Sequence, residues 1–512
     1  MRIRVENLKI ELSTERWASS STLQPSIAPQ SHLHCSLSMK WSAVCQPDIL
    51  PRKILYWASL STVALTLYTN SDMGSEQVPD SRSAVSMNVG IIGAGIAGLG
   101  AAVALTRAGH HVEIFEKSSF KNEIGAAILI TPNATRILRE WGFDFERAGP
   151  VDFKQFRFIK AHNGEVEHRE DFSGVEQEFG SRMCAFSRVD LHRGIRELVE
   201  GLGIEIYLGA GAEDLDIETG IVDIKGQGKV KKDFWVLADG CHSRFVSSIA
   251  QENIPTHKVG KSVCRWLAPM SKVIEHPENA SLWNNQPPGF CTFFNEKILL
   301  VTYPCRGGEL LNCAVFHDTR PDEREKDGWH GETTHEKVLE TLEGTSDGVR
   351  HLPMTVDQSN LRVYTVTQRP PSSTIHRGNF LCIGDTTHHM LPTHAQGGAS
   401  SLEDAATLEI FFGPSFYSHN PENLEKRLDT YQKFRCPRSA TTQILSSTFP
   451  HITMEGLAKK EEEIRSFYQG ELVDWPKGCG PWSKEIRDFF YAFDVFEEAE
   501  KAMDAEYRGV SL

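Results

Sequence analysis

No Cys-x-x-Cys pair occurs in this chain of 512 residues, although it has 11 cysteines. An odd number of scattered thiols argues against a disulfide framework. Buried or free thiols in a reducing, cytoplasmic compartment are expected instead. An excess of positive charge is also missing: 54 Lys and Arg face 68 Asp and Glu, for a net charge of −14. That balance argues against nucleic acid and anionic membrane surfaces as main partners. No apolar run reaches the ~20 residues that a spanning helix needs. The longest candidate, Ile54–Tyr68, follows Arg52 and Lys53 and is only a short hydrophobic segment. A membrane anchor through 54–68 is the minor alternative to a soluble chain. No internal repeat is visible, and no SKL or KDEL address stands at Gly509–Leu512.

What is present is ordinary for a soluble globular protein: 40% apolar and 24% charged residues. The length exceeds a single core, so two or three domains are expected. Residues 1–86 are rich in Ser, Gln, Pro and Thr without a sustained period, which predicts disorder. A buried-strand run at Asn88–Ile92, a helical run at Ile96–Arg107 and a second strand at His111–Phe115 form one βαβ unit. Further helices are expected over Thr131–Trp141 and Asp190–Glu200, the latter with Asp190 as its N-cap. Strands are expected at Ile204–Leu208, Gly220–Lys225 and Phe234–Ala238. From about Val259 to Arg369 the texture turns to short alternating strands such as Lys297–Tyr303 and Asn312–Phe316. Buried-strand texture returns at Phe380–Ile383, followed by helical runs at Ser400–Phe412 and Leu424–Leu445. The tail from Glu455 is charged, helical and aromatic-rich. The spacing therefore divides the chain into an extension (1–86), an α/β domain in two parts (87–258 and 370–445), an inserted antiparallel β-sheet module (259–369) and a helical tail (446–512).

Gly93-x-Gly95-x-x-Gly98 follows a strand, opens a helix, and has Glu116 at the end of the next strand. Gly93 permits the tight turn, Gly95 lets the backbone approach a pyrophosphate, and Gly98 lets the helix pack on the strand. Glu116 can accept from ribose hydroxyls and would repel a 2′-phosphate. Far along the chain, Gly384-Asp385 ends another buried strand. Alone it is a common turn. Its sequel, Pro392-Thr-His-Ala-Gln-Gly397-Gly398 before a helix, can bring bare backbone N–H groups against a flat ring. Two strand-to-helix glycine turns this far apart suggest one long dinucleotide held at both ends. A resident flavin fits that better than a transient nicotinamide. His388, His389 and His394 lack a carboxylate or Cys set at ligand spacing, so no metal is expected. The sequons at Asn133 and Asn279 are expected to be silent.

Through these motifs the chain resembles the single-component flavin-dependent aromatic hydroxylases, the p-hydroxybenzoate and salicylate hydroxylase family, in its fungal secondary-metabolism branch. The resemblance spans Asn88–Asp494. It takes in the first glycine turn with Glu116, EIGAAILITPNATRIL (Glu123–Leu138), SRVDLHRGI, LADGCHS, GDTTHHMLPTHAQGG and FFYAFDVFEEAE. It implies an α/β fold: a Rossmann-like FAD-binding domain of p-hydroxybenzoate hydroxylase type, an inserted, mainly antiparallel substrate domain, and a helical tail. It implies Gly93, Gly95, Gly98, Glu116, Ala127, Arg188, Asp239, Asp385, Pro392, Gly397 and Gly398 as cofactor contacts. It implies non-covalent FAD, NADPH or NADH as cosubstrate, and dioxygen. The reaction so implied is hydroxylation of a phenolic or salicylate-like aromatic, polyketide-derived ones included, through a flavin C4a-hydroperoxide. Arg265, at the start of the inserted module, and Tyr303 are the candidate substrate contacts, with a solvated arginine and a packing tyrosine as the plain alternatives. One departure stands out. The family's Asp-Gly motif runs on to an arginine, and that position here is Val246, with Arg244 as the candidate replacement. The rival class is a reductase or dehydrogenase on the same fold that inserts no oxygen, and a third is a flavin binder without turnover.

Overall fold

The structure, a computed structural model, describes residues 86–120, 126–324, 331–413, 421–448, 453–466, 468, 470–480 and 483–508. The extension and its segment 54–68 lie outside the described residues.

A six-stranded sheet follows from the buried apolar runs. Its order is His376–Arg377, Phe380–Cys382, Phe234–Leu237, Asn88–Ile92, His111–Glu116, Glu205–Leu208. All neighbours pair in parallel except the first two strands. The helix Ile96–Arg107 has no polar face, and it is buried from Ile96 to Leu105. It is covered by a second buried helix, Gln396–Phe411. Small residues set how closely they approach: a methyl on Gly100 would sit 3.1 Å from the Ala405 Cβ. The two segments thus form one body although about 300 residues separate them in sequence.

The alternating texture folds into a seven-stranded sheet. Its order is Arg362–Gln368, His257–Pro269, Leu310–Asp318, Leu299–Cys305, Gly289–Phe294, Gln155–Lys160, Val166–Asp171. Two of its strands come from ahead of residue 259, and Gly289–Phe294 pairs Gln155–Lys160 in parallel. Alternation sorts its faces. Cys264, Trp266, Cys313, Val315 and Val363 point into a core of their own. Val263, Arg265, Tyr364 and Phe316 occupy the other face, where Val263 packs with Val366 and Leu391. Leu391 directly precedes Pro392, so this face meets the second glycine segment. A small sheet of Ala127–Ile130, Cys184–Ser187 and Val151–Asp152 borders the same region.

The tail forms the helices Met454–Arg465, Lys484–Tyr491 and Val495–Tyr507, with irregular chain over 471–480. Tyr468, Trp475, Ile486 and Phe490 share a core with Tyr303, Phe153 and Leu129. One local expectation is corrected. The helix read as starting at Asp190 spans Arg188–Gly201 with Ser187 at its N-cap. Asp190 lies inside the first turn, where its carboxylate accepts from Arg306 Nε at 2.7 Å and pairs with Arg193 at 2.9 Å. Among the described residues, no helix is long and apolar enough to cross a membrane.

Candidate active site

The first strand delivers Gly93 at φ +100°, a left-handed conformation open to glycine. A side chain there would collide with the Ala238 carbonyl, and one on Gly98 with the Gly93 carbonyl. Beside Gly95 there is open space. The helix after it has no side-chain cap, so its first N–H groups are available to an acceptor. The buried Glu116 carboxylate accepts from Ala94 N and Ser118 N, both at 2.7 Å. These bonds strap the turn to the end of the second strand and leave lone pairs for further donors.

The Asp239 and Asp385 turns interlock. Thr386 Oγ1 accepts from Gly240 N at 2.9 Å and donates to Asp239 Oδ1 at 3.3 Å. Burial pushes the Asp239 carboxyl above its usual range, against hydrogen bonds from Ser243 and Thr386. For Asp385, burial is the largest influence and acts upward, but His389, His388 and Arg188 outweigh it and hold the carboxyl below its usual range. His389 Nδ1 lies 3.8 Å from its Oδ2. Gly384 has φ +63°, and a side chain there would press within 2.6 Å of the Ala97 Cβ in the first helix. The two glycine turns therefore touch.

Pro392 opens a short turn that ends at Ala395, a non-glycine residue at φ +56°. Gly397 and Gly398 follow in the first turn of the buried helix, which also lacks a side-chain cap. A methyl on Gly397 would reach the Asp385 carboxylate at 4.0 Å, and one on Gly398 would meet Ile128 at 3.1 Å. Ala127 pairs with Ser187, and Arg188 N donates to Ala126 O at 2.7 Å. Hence the Ala127 strand, the exposed Arg188 and the Gly397–Gly398 helix start adjoin one another.

The sheet face borders them. Arg265 pairs with Ala314, and Tyr303 with Asn312 on the same strand, whose Oδ1 accepts from Ala127 N at 3.3 Å. Arg265 is buried, and its guanidinium lies 5.4 Å from the centre of the Tyr364 ring. Burial lowers its proton affinity, opposed by Tyr364 and reinforced by Arg188. Burial pushes the Tyr303 and Tyr364 hydroxyls up, so both stay neutral donors. Tyr303 packs edge-on to Phe290 at 5.0 Å.

Beneath the helix start lies a buried charge network. Asp404 Oδ2 accepts from Gly384 N at 2.9 Å and His388 Nε2 at 2.6 Å, and its Oδ1 accepts from Arg435 Nε at 2.8 Å. Arg438 reaches Glu403 at 2.7 Å and lies 3.5 Å over the Phe493 ring. Glu403 also accepts from Asn133 at 2.8 Å. Burial alone would raise the Asp404 carboxyl, but His388 and Arg435 bring it down to about 2.

The structure thus gathers Gly93, Gly95, Gly98, Glu116, Asp239 and Asp385 around two touching turns. Pro392, Gly397 and Gly398 follow the second turn, Ala127 and Arg188 lie beside them, and Arg265 and Tyr303 stand on the adjoining sheet. Sequence reasoning missed Tyr364, Asn312, Arg435 and Arg438. Tyr364 shows only as one member of an alternating strand, and the two arginines fall within the helical run Leu424–Leu445 with no signal of their partners. His388, His389 and His394 point to separate partners: Asp404, Thr367 and Phe490. Among the described residues, Cys264, His317 and Glu323 do lie within 4.8 Å of one another. There the carboxylate is held by His317 Nε2 and Arg320 N. Arg244 turns away from Asp239; it donates to the carbonyls of Ala212 and Glu213.

Two uncapped helix starts, glycines where a side chain would collide, and a carboxylate at the far end of each turn suit a long dinucleotide. The sequence profile of the FAD binding domain family matches residues 86–444. The chain is 30% identical over 438 residues to the FAD-dependent monooxygenase cfoG of Aspergillus candidus, covering 82% of this chain and 96% of that one. It is 26% identical to hispidin-3-hydroxylase of Neonothopanus nambi, covering 83% and 97%. In fold it matches CtdE, solved with FAD and a substrate, with a TM-score of 0.67 at 20% identity, covering 83% and 99%. It also matches a salicylate hydroxylase substrate complex at 0.63 and 20%, covering 82% and 98%. The chain belongs to the FAD binding domain family and, within it, to the FAD-dependent monooxygenases of aromatic-hydroxylase type.

Proposed function

We propose that the protein hydroxylates an electron-rich aromatic substrate, phenolic or salicylate-like, with NADH or NADPH and dioxygen. The observation that supports this is the buried Arg265 over the Tyr364 ring, on the sheet face whose Val263 packs with Leu391, next to Pro392. The relatives' names, hispidin-3-hydroxylase among them, point the same way.

Bound FAD supplies hydride acceptance and oxygen activation. The residues supply the rest. Glu116 and the Gly93–Gly98 turn bind one end, and Asp239, Asp385 and Arg188 fix the other. The bare N–H groups of Gly397 and Gly398 stabilise negative charge that develops beside them. Arg265 orients the substrate by pairing with a carboxylate, or favours a phenolate over its phenol, and a ring held as phenolate is the better nucleophile. The Tyr303 and Tyr364 hydroxyls donate to substrate oxygens. The sheet face and the aromatic tail keep water out, so reducing equivalents are not lost as hydrogen peroxide.

The test is to add phenolic acids one at a time to the purified protein with reduced nicotinamide. A substrate should speed nicotinamide oxidation, with matching oxygen uptake and a product heavier by one oxygen atom. Stimulated oxidation with no oxygen consumed would assign the protein to the reductases instead.

A further inference from the structure

The arginine expected after the Asp-Gly turn is replaced by Val246, which is buried in the short helix Val246–Ala250. Arg244 does not fill the vacancy. Another arginine reaches the turn from a different part of the chain. Arg369 directly follows the last strand of the substrate sheet, and its side chain is only 4% exposed. Its Nη2 donates to Cys241 O at 2.7 Å, and its Nη1 donates to Ile254 O at 2.7 Å. Its backbone N donates to His389 O at 2.8 Å, just past the Asp385–His388 turn. Its carbonyl accepts from Gln443 Nε2 at 2.8 Å on the long helix Pro421–Ser446.

We propose that Arg369 is the positioning residue of the FAD site: its side chain ties the Asp239–Cys241 turn to the end of the substrate sheet, whose backbone at the same residue already holds the Asp385–His389 turn. This rests on the reading that those two turns hold FAD. The guanidinium suits the task because its two terminal nitrogens serve Cys241 O and Ile254 O at once, bracing the Asp239–Cys241 turn against the segment after the Val246–Ala250 helix, which a single ammonium does less well. The coupling then runs on through Thr386, which links Gly240 N to the Asp239 carboxylate. A loop held at Cys241 O sets where Asp239 points, and a turn held at His389 O sets where Asp385 points. Arg369 also walls a cavity of about 210 Å³ with His257, His389, Gln443 and Ser447, so a small cation has room to enter if the side chain is removed.

The experiment dilutes the FAD-loaded full chain stepwise and follows flavin release by fluorescence. It compares wild type, R369A and R244A, with thermal melts beside each. R369A should weaken FAD retention roughly ten- to a hundredfold, as expected for two lost charge-assisted bonds partly replaced by water. Added guanidinium ion should restore most of the loss, and R244A should match wild type. Wild-type retention in folded R369A overturns the proposal. So does a loss that guanidinium leaves unrepaired, because it marks a folding defect. If R369A does not fold, R369K must still release FAD more readily than wild type, and equal retention again overturns it. A wild-type chain that holds no FAD would instead sink the functional reading.

Discussion

Substituting Asp404 by asparagine tests the buried charge network under the cofactor turn. The carboxylate is almost fully buried and takes three donors: Gly384 N, His388 Nε2 and Arg435 Nε. Burial disfavours its charge, yet His388 and Arg435 hold it at about 2 rather than 3.8. At 1.36 kcal/mol per tenfold change, that corresponds to a few kcal/mol of stability at neutral pH. Removing one partner of a buried pair, with its opposite charges left behind, costs ~3–5 kcal/mol. The two routes agree on a loss near 3 kcal/mol for D404N. The sign with pH follows from the depressed carboxyl: the contribution is complete above about 4 and is lost as pH falls toward 2. D404N should therefore lose most at neutral pH and converge on wild type in acid. Urea unfolding of the FAD-loaded protein, followed by tryptophan fluorescence between pH 3 and 7, measures both. A D404N variant within ~1 kcal/mol of wild type at pH 7 would refute the argument, since the network would then carry no net stability.

Denaturing the pure protein should release free yellow flavin, and E116A and D385A should each weaken its retention by about 1.5–3 kcal/mol; unchanged retention in both would mean the cofactor is misplaced. A chain beginning at Met87 should fold and bind FAD, because Met87 is buried and its carbonyl accepts from His111 N at 2.9 Å; an insoluble truncation beside soluble full-length protein would contradict this. R265A should impair substrate-stimulated turnover by a few kcal/mol with FAD content intact, and R265K should remain impaired if the contact is two-pronged. Normal hydroxylation by R265A would make Arg265 a bystander.

The local parts of this architecture were legible because their signals lie next to each other in the chain. The Gly93–Gly98 turn carries its strand, its helix and Glu116 within one βαβ unit, and the structure builds that unit where the pattern puts it. The helix Gln396–Phe411 began four residues earlier than its apolar run suggested, because Gly397 and Gly398 are weak helix formers that the site recruits into its first turn. What stayed hidden depends on distant pairing. Gln155–Lys160 alternates Gln, Phe, Arg, Phe, Ile and Lys, and nothing in that hexapeptide says that its partner is Gly289–Phe294. Arg435 and Arg438 look like ordinary helix-surface cations until Glu403 and Asp404 are folded against them. Asp190 reads as a cap by residue type alone, and only Arg306 shows why it is buried.

The contact of Gly100 with Ala405 also sets an order of events during synthesis. The first helix leaves the ribosome early with its all-apolar surface exposed, and the helix that covers it is translated about 300 residues later. At ~5–20 residues per second that is roughly 15–60 s. Through that interval the nascent chain carries a sticky flank, while the intervening sheet has its own core and needs no help from the flank to close. Cellular yield should accordingly depend more on chaperone capacity during translation than on the equilibrium stability of the finished protein.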